Sequence, residues 1–240
     1  DHAYVSCQRL DRNAGFVPSD AFLVIIDINS DSVVGDIPLS AANPNSVIAV
    51  GERIIVSGSA GFGDRAGGID IVDTRTAASL GLAITETQLG GDMNGLVLRT
   101  SNAGFAVILD DNFANSVVPV NLATGIIGTP LEGLSGGFVA TVAIDGNRLL
   151  IGDQGSFSDP SSAGLKIYDA TTGVLLLGPV DTGLPPNNIV VLNSAQITAV
   201  RDEQSATLPQ RAAIGAGFPN PFNATVRVPF EVATDGHVEL

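Results

Sequence analysis

The sequence is poor in the residues on which most catalytic centres depend. Its 240 residues include no tryptophan, a single cysteine (Cys7), and two histidines, His2 and His237, at opposite ends of the chain. A lone cysteine cannot form an intrachain disulfide, and a Ser-His-Asp triad needs a histidine held between nucleophile and carboxylate. The sequence therefore offers no catalytic constellation, no ordinary zinc site and no covalent haem motif. We expect a protein that is not an enzyme.

Positive charge is also scarce. Acidic residues outnumber basic ones 25 to 11, giving a net charge of −14, and Lys166 is the only lysine. Such a charge repels nucleic acid. No apolar run reaches the roughly 18 residues that a membrane helix needs. Because 45% of the residues are hydrophobic and only 15% charged, the composition excludes a disordered chain. The sequence predicts a folded protein without a nucleic-acid partner and without a transmembrane segment.

An internal repeat dominates the chain. Four segments share the pattern of apolar strand, polar turn and second apolar strand, and an Asp or Asn opens each turn. The segments are FLVIIDINSDSVVGDIPL from Phe22, GGIDIVDTRTAASLGLAI from Gly67, NSVVPVNLATGIIGTPLE from Asn115 and AGLKIYDATTGVLLLGPV from Ala163. The turn-opening residues, Asp27, Asp73, Asn121 and Asp169, are 46, 48 and 48 residues apart. Their side chains are expected to bond to backbone amides just ahead, a structural role in each hairpin.

A second strand pair precedes most of these hairpins, so each repeat predicts four antiparallel strands. These pairs begin at Ser46, Gly95 and Val139, and another opening pair, NNIVVLNSAQITAV, begins at Asn187. Four strands every 40 to 50 residues are typical of β-propeller blades. We predict an all-β propeller over residues 1–200, with blades at 1–40, 41–85, 86–132 and 133–182 and a closing hairpin at 187–200. This hairpin could complete the first blade; alternatively, blades preceding Asp1 are missing.

The repeat resembles the YVTN family of β-propeller repeats, in which a strand ends at Asp, turns, returns and passes through a proline-bearing link. VIIDINSDSVVGDIPL followed by NPNSVIAVGERIIVSG carries the resemblance, and Pro44, Pro185 and Pro186 occupy the links. The third repeat departs from the pattern, with Asn121 in place of Asp and Pro119 inside a strand. We expect an edge position or a bulge there.

The chain changes character after Val200. Residues 201–217 are polar and Ala-rich and are predicted to be a linker. The run Phe218, Pro219, Asn220, Pro221, Phe222 and Asn223 then resembles the start of the C-terminal sorting domain of the bacterial type IX secretion system. This resemblance implies a partial, β-sandwich-like sorting domain over 218–240. It also implies export to the outer cell surface or the medium. Since such a domain normally continues with further strands, we expect the native chain to be longer.

Acidic residues in equivalent loops are the candidate metal ligands. Calcium prefers several oxygen ligands, and loops at the same blade position gather on one face of a propeller. The candidates are Asp64, Asp110, Asp111, Asp153 and Asp159. The alternative is that these carboxylates are simply solvated loop residues.

Two functional hypotheses follow. The first is a secreted or surface-displayed scaffold that binds a protein or a surface polymer through its inter-strand loops, within a larger envelope assembly. The second is a metal-assisted lactonase or hydrolase with carboxylates at the mouth of the propeller channel. Calcium-dependent stability would distinguish them.

Overall fold

The structure, a computed structural model, describes residues 1–11, 13, 15, 17–192, 213–214 and 230–231. The chain separates into two compact units, Asp1–Val191 and Leu192–Leu240. The first unit is all-β and consists of four antiparallel sheets of three or four strands.

Each sheet is a meander in which strands consecutive in sequence pair with one another. Sheet 1 contains β1 (His2–Asp11), β2 (Val17–Asp27) and β3 (Ser32–Pro38), and sheet 2 contains β4 (Pro44–Val50), β5 (Arg53–Gly58), β6 (Gly68–Asp73) and β7 (Ala78–Thr85). Sheet 3 contains β8 (Asp92–Leu98), β9 (Ala103–Leu109), β10 (Asn115–Asn121) and β11 (Ile126–Ile127), and sheet 4 contains β12 (Val139–Asp145), β13 (Arg148–Asp153), β14 (Gly164–Asp169) and β15 (Leu175–Val180). The four repeats of the sequence correspond to these four sheets.

The last hairpin of every sheet is organised by its turn-opening residue. Asp27 Oδ1 accepts hydrogen bonds from the amides of Asn29 (2.8 Å) and Ser30 (3.3 Å). Backbone amides donate in the same way in the other three sheets: Arg75 to Asp73, Ala123 and Thr124 to Asn121, and Thr171 and Thr172 to Asp169. This is the interaction expected of Asx turns, and it recurs in all four sheets.

Apolar residues cover both faces of the inner sheets, because each sheet packs against the one before and the one after it in sequence. We call the face toward the following sheet the forward face and the other the backward face. Buried clusters join sheet 1 to sheet 2 around Leu23 and Val72, sheet 2 to sheet 3 around Ile55 and Ile108, and sheet 3 to sheet 4 around Phe105 and Leu149. The core therefore lies between successive sheets, and repeats stabilise one another by stacking.

The first strands of sheets 2, 3 and 4 share a bulge at the same place. The pairing register shifts between Pro44 and Ser46, between Met93 and Gly95, and between Val139 and Thr141. Asn45, at the first bulge, donates from Nδ2 to the carbonyl of Met93 at 2.8 Å, joining sheet 2 to sheet 3. Such recurrent bulges are built features of a fold, and this one links neighbouring first strands.

Buried polar side chains fix the links between sheets. Asp70 accepts from the amide of Ser40 at 2.5 Å, in the link between sheets 1 and 2. Glu86, fully buried, accepts from the amides of Gly67 and Met93, both at 2.7 Å, and so ties sheet 2 to the start of sheet 3. Each buried carboxylate is satisfied by backbone donors, as burial of charge requires.

Two local features differ from the sequence expectation. The link between sheets 2 and 3 contains a short helix, α1 (Glu86–Leu89), with a capping box between Thr85 and Gln88. The final strand of sheet 3 is only two residues long, and it pairs with Val120 and Asn121 but not with Pro119. Pro119 has no N–H to donate, but its carbonyl accepts from the amide of Gly128, just beyond that strand, at 2.8 Å.

The C-terminal predictions fall largely outside the described residues. Residues 187–192 carry no strand, and 193–200 of the expected closing hairpin are outside the described part. The same applies to the sorting motif, residues 218–223. Two short strands are described here. β16 (Ala213–Ile214), in the segment predicted to be a linker, pairs antiparallel with β17 (Phe230–Glu231), in the segment predicted to be the sorting domain.

Candidate functional site

Three loops at equivalent positions form the candidate site. They join the second and third strands of sheets 2, 3 and 4 and span residues 59–67, 110–114 and 154–163. Since the three sheets share strand order and pack in sequence, these loops emerge at the same end of each sheet. We call the surface that they form, together with Phe138 of the preceding link, the loop face. All five carboxylates proposed as calcium ligands lie in these loops or border them.

Three of these carboxylates organise their own loops. Asp110 Oδ1 accepts from the amides of Asn112 (2.8 Å) and Ala114 (2.9 Å). The Ala114 bond is the largest of several interactions that hold the pKa of Asp110 below its usual value. Asp159 caps the 3-10 helix Pro160–Ser162 through the Ser161 amide at 3.1 Å, and Asp64 accepts from the amide of Gly61 at 3.2 Å. Their oxygens serve as turn and cap acceptors.

Asp111 takes part in an ion bridge between two sheets. The Arg65 guanidinium, in the loop of sheet 2, contacts Asp92 at the start of sheet 3 and Asp111 in the loop of sheet 3. Asp92 is buried, and its second oxygen accepts from the amide of Gly63 at 2.9 Å. Arg65 therefore fixes the first two loops of the loop face relative to each other.

Asp153 is buried and paired with the only lysine. Lys166 Nζ lies 2.8 Å from Asp153 Oδ2 and 2.7 Å from the carbonyl of Gly133. Burial raises the pKa of Asp153, but hydrogen bonds from Lys166 and Ser135 outweigh it, so the pKa lies below the usual value. Burial, together with the nearby Asp153 charge, raises the pKa of Tyr168 to about 12. The negative charge of Asp153 is thus neutralised inside sheet 4.

The five calcium candidates are not brought together as one ligand set. Within the part of the chain that the structure describes, no group of three or more His, Cys, Asp or Glu side chains could hold a metal ion. The physical reason is local: each carboxylate is used by its own turn, cap or ion pair. Calcium at these residues stays a prediction.

Phenylalanine is the feature of the loop face that the sequence analysis missed. Phe62 and Phe113, from the loops of sheets 2 and 3, stack with their ring centroids 4.6 Å apart and their planes within 4° of parallel. Both rings are more than half exposed, at 54% and 61%, and Phe138 and Phe157 are exposed beside them. A Phe side chain that is left in water forgoes roughly 1.5–3 kcal/mol of burial free energy. Four such rings on one surface form an exposed apolar patch.

A cavity of about 680 Å³ extends from this row of rings. Its lining includes Phe113, Phe138 and Phe157 together with Gln154, Pro160 and Pro185. The volume lies within the range of ligand-binding clefts, and the apolar lining is supplemented by the amide of Gln154.

The sequence signal for this surface was present but unspecific. Phe62, Phe113 and Phe157 each lie inside a loop rich in Gly, Ser or Asp, where a large apolar residue has no neighbouring strand to pack on. Single exposed hydrophobic residues are common, and only the stacking of the sheets shows that these are adjacent.

The rim of the loop face is acidic. Asp64, Asp110, Asp111 and Asp159 lie within its loops, whereas Arg65 is the only basic residue there. With a net charge of −14 on the whole chain, the surface attracts cations and repels anions.

No protein-family model matches the sequence, and no curated protein matches it either. Among the described residues, none of the helices has the length and apolar character required to cross a bilayer.

Proposed function

We propose that the chain is a surface-displayed β-propeller module that binds a protein partner through the loop face. The observation that carries the proposal is the row of exposed phenylalanines contributed by successive sheets, with Phe62 stacked on Phe113. Solvent-exposed aromatic rings held on a rigid scaffold are typical binding anchors, because little conformational entropy is lost when they are covered.

The blade arrangement is part of this proposal. Three observations support it: the four-stranded meanders in sequence order, the contacts of β4 with β8 and of β8 with β12, and the apolar clusters between successive sheets. A propeller places first strands side by side around an axis and gathers equivalent loops at one end, which matches these contacts. The export of the chain by a type IX route is a further proposal, and it rests only on the motif at residues 218–223.

The chemistry of the partner follows from the surface. The exposed rings favour aliphatic or aromatic side chains, and the acidic rim favours arginine or lysine beside them. We therefore propose an extended, positively charged polypeptide segment as the ligand, with one apolar side chain entering the cavity beside Phe113, Phe138 and Phe157.

Selection from a random peptide display library on the immobilised full chain tests the proposal. The enriched peptides are expected to combine apolar residues with arginine or lysine. Their Kd should rise about tenfold or more for Phe113→Ala, since a central anchor contributes roughly 1.4 kcal/mol or more. The matched control is Leu80→Ala, because Leu80 is similarly exposed on β7, away from these loops.

Peptides that bind Phe113→Ala and Leu80→Ala equally well would place the ligand elsewhere. Peptides enriched in acidic residues would contradict the proposed charge complementarity. In either case the loop face would not be the binding surface for such a segment.

A further inference from the structure

A second cleft, with polar walls, lies beside the buried ion pair of sheet 4. Its volume is about 480 Å³, and it is bounded by the link before β12 and by the loop that joins β13 to β14. Lys166 and Asp159 contribute one charge of each sign to its lining, and Leu134 and Pro179 contribute apolar surface. The remaining side chains in the lining carry hydroxyl groups; they are Ser135, Ser156, Ser161 and Ser162. We call this space the serine cleft.

Lys166 is the buried polar side chain of the serine cleft. It lies on the backward face of sheet 4, and its side chain is only 3% exposed. An ammonium group has three N–H donors. In the described part of the chain two of them have acceptors, the carbonyl of Gly133 at 2.7 Å and Oδ2 of Asp153 at 2.8 Å. Because a buried charged donor without an acceptor is costly, the third N–H requires a partner, which the cleft can accommodate.

The cleft also presents an acceptor at its rim. Asp159 is exposed, and its Oδ1 accepts from the amide of Ser161 at 3.1 Å and from the hydroxyl of the same residue. Its Oδ2 has no partner among the described residues. Within the cleft, the Ser135 hydroxyl donates to Asp153 and accepts from the amide of Gly137 at 3.1 Å. The serine cleft thus combines a charged donor, a carboxylate acceptor and hydroxyls that both donate and accept.

The fold does not need an ion pair at this place. Sheet 3 has Ile108 and Val118 at the positions of Asp153 and Lys166, and both are buried in an apolar cluster. Replacing a buried ion pair with apolar residues is often neutral or stabilising. A polar pair that occurs where a neighbouring sheet packs with apolar residues therefore points to a role in binding rather than in stability.

The charges around the cleft select the kind of ligand. Lys166 is positive and Asp153 and Asp159 are negative, so the three leave a net charge of −1, in a chain whose net charge is −14. This field disfavours phosphate and carboxylate ligands, and the Lys166 ammonium disfavours cations. A neutral ring with several hydroxyl groups fits both ends of the site, since each hydroxyl donates and accepts as the serine hydroxyls do. Its C–H groups would contact Leu134 and Pro179.

We propose that the serine cleft binds a neutral hexopyranose ring of a glycan. One ring oxygen or hydroxyl accepts the third N–H of Lys166, and another hydroxyl donates to Oδ2 of Asp159. A sugar hydroxyl can replace water at both positions without losing the hydrogen bond. The inference goes beyond the proposed function and does not rest on it, because the cavity beside Phe113 shares only Ser156 and Pro160 with the lining or loop of this cleft.

Saturation-transfer difference NMR on the full chain tests the proposal. The probes are the methyl α-pyranosides of glucose, galactose and mannose. At least one should give a saturable signal with a Kd in the millimolar range, as expected for a single ring held by a few hydrogen bonds. The uronide of the best-binding glycoside should bind at least about threefold more weakly, because it adds a negative charge.

Three results of these titrations would overturn the proposal. The first is the absence of a saturable signal from all three glycosides. The second is a uronide that binds as tightly as its neutral counterpart. The third is tighter binding of N-acetylalanine methylamide, a probe of peptide chemistry, which would assign the cleft to a polypeptide instead.

Matched variants assign the signal to the serine cleft. Asp153→Ile with Lys166→Val gives sheet 4 the residue types of sheet 3 and should raise the Kd about tenfold or more. Asp159→Asn keeps an oxygen for the Ser161 amide but replaces the free acceptor with a donor, and should raise the Kd about threefold or more. The control Ser101→Ala removes an exposed hydroxyl between β8 and β9, at the opposite end of the sheets, and should leave the Kd unchanged.

Circular dichroism establishes that each variant is folded. If the double variant does not fold, Asp159→Asn decides alone, since it changes only an exposed side chain. A Kd that Asp159→Asn leaves unchanged, or that Ser101→Ala raises as much as Asp159→Asn does, would show that the sugar does not bind in the serine cleft.

Discussion

Single carboxylates in this chain act mainly as acceptors for nearby amides. The three turn aspartates show this most clearly, because amides two or three residues ahead donate to Asp27, Asp73 and Asp169. The side-chain oxygen of Asn121 accepts in the same way in the fourth turn. Local chemistry of this type can be read from the sequence, since the interacting groups lie within three residues of each other. The loop acids were predicted as calcium ligands, but the same local bonds engage Asp110 and Asp159.

The three turn aspartates predict a specific acid sensitivity. Hydrogen bonds from the Asn29 amide to Asp27, from the Arg75 side chain to Asp73, and from the Thr172 amide to Asp169 lower the pKa of each carboxyl. A pKa that is lower in the folded state adds stability above the unfolded value of about 4, and this stability is lost as the pH falls through the folded pKa. The fall in stability below about pH 4 should therefore be shallower when all three are replaced.

The replacements Asp27→Asn, Asp73→Asn and Asp169→Asn keep the acceptor oxygen but do not titrate. Asn121 already occupies the fourth turn in this form. Thermal unfolding midpoints measured between about pH 7 and about pH 2.5 check the expectation. A triple variant that loses as much stability in acid as the wild type would show that these turns do not contribute to the acid limb.

The buried ion pair of sheet 4 predicts strong coupling between two residues. Lys166→Met leaves Asp153 charged, buried and without its cation, and should reduce the free energy of unfolding by about 3–5 kcal/mol. Sheet 3 has Ile108 and Val118 at the corresponding positions, both buried in an apolar cluster. The double variant Asp153→Ile with Lys166→Val should thus be more stable than Lys166→Met. Urea unfolding of the two variants measures the difference, and a double variant no more stable than Lys166→Met would contradict the coupling.

At the scale of elements, the strands and hairpins were predictable and the links were not. Short runs rich in Val, Ile and Leu, bounded by turn residues, identify β5, β6, β13 and β14 directly. The helix α1 had a sequence signal, the capping pair Thr85 and Gln88 followed by Gly90, which fitted poorly with an all-β expectation. No sequence signal indicated the burial of Glu86, because that burial depends on amide donors from Gly67, in the loop before β6, and Met93, on β8.

The hydrogen bonds of Glu86 are predicted to stabilise the link between sheets 2 and 3. Glu86→Gln retains the size of the side chain but has one acceptor oxygen for two donors, the amides of Gly67 and Met93. Leaving one buried amide unsatisfied should cost about 1–3 kcal/mol in the free energy of unfolding. The control Glu52→Gln, at a side chain that is 66% exposed, should change it by less than about 0.5 kcal/mol. Equal effects of the two substitutions would show that the Glu86 bonds contribute nothing to stability.

At the scale of the whole molecule, the four sheets pack in the order in which they follow one another along the chain. In the described part of the chain, the buried clusters join sheets that are neighbours in sequence, so residues about one repeat apart become adjacent. Phe62 and Phe113 meet for this reason, as do Arg65 and Asp111. The spacing of the sequence repeat predicted four structural units. The row of exposed phenylalanines could not be predicted, because it depends on the alignment of loops from successive sheets.

Crosslinking between adjacent loops tests the side-by-side alignment of the sheets most directly. In a Cys7→Ser background, Phe62→Cys with Phe113→Cys should be joined within one chain by a bismaleimide spanning about 8 Å. The control pair, Phe62→Cys with Ile126→Cys, should remain unjoined, because Ile126 lies at the opposite end of sheet 3, a strand length of about 20 Å away. Mass spectrometry of the digested monomer measures the yield of crosslinked peptides for each of the two cysteine pairs. Efficient joining of the control pair, with none between the two loop positions, would contradict the account.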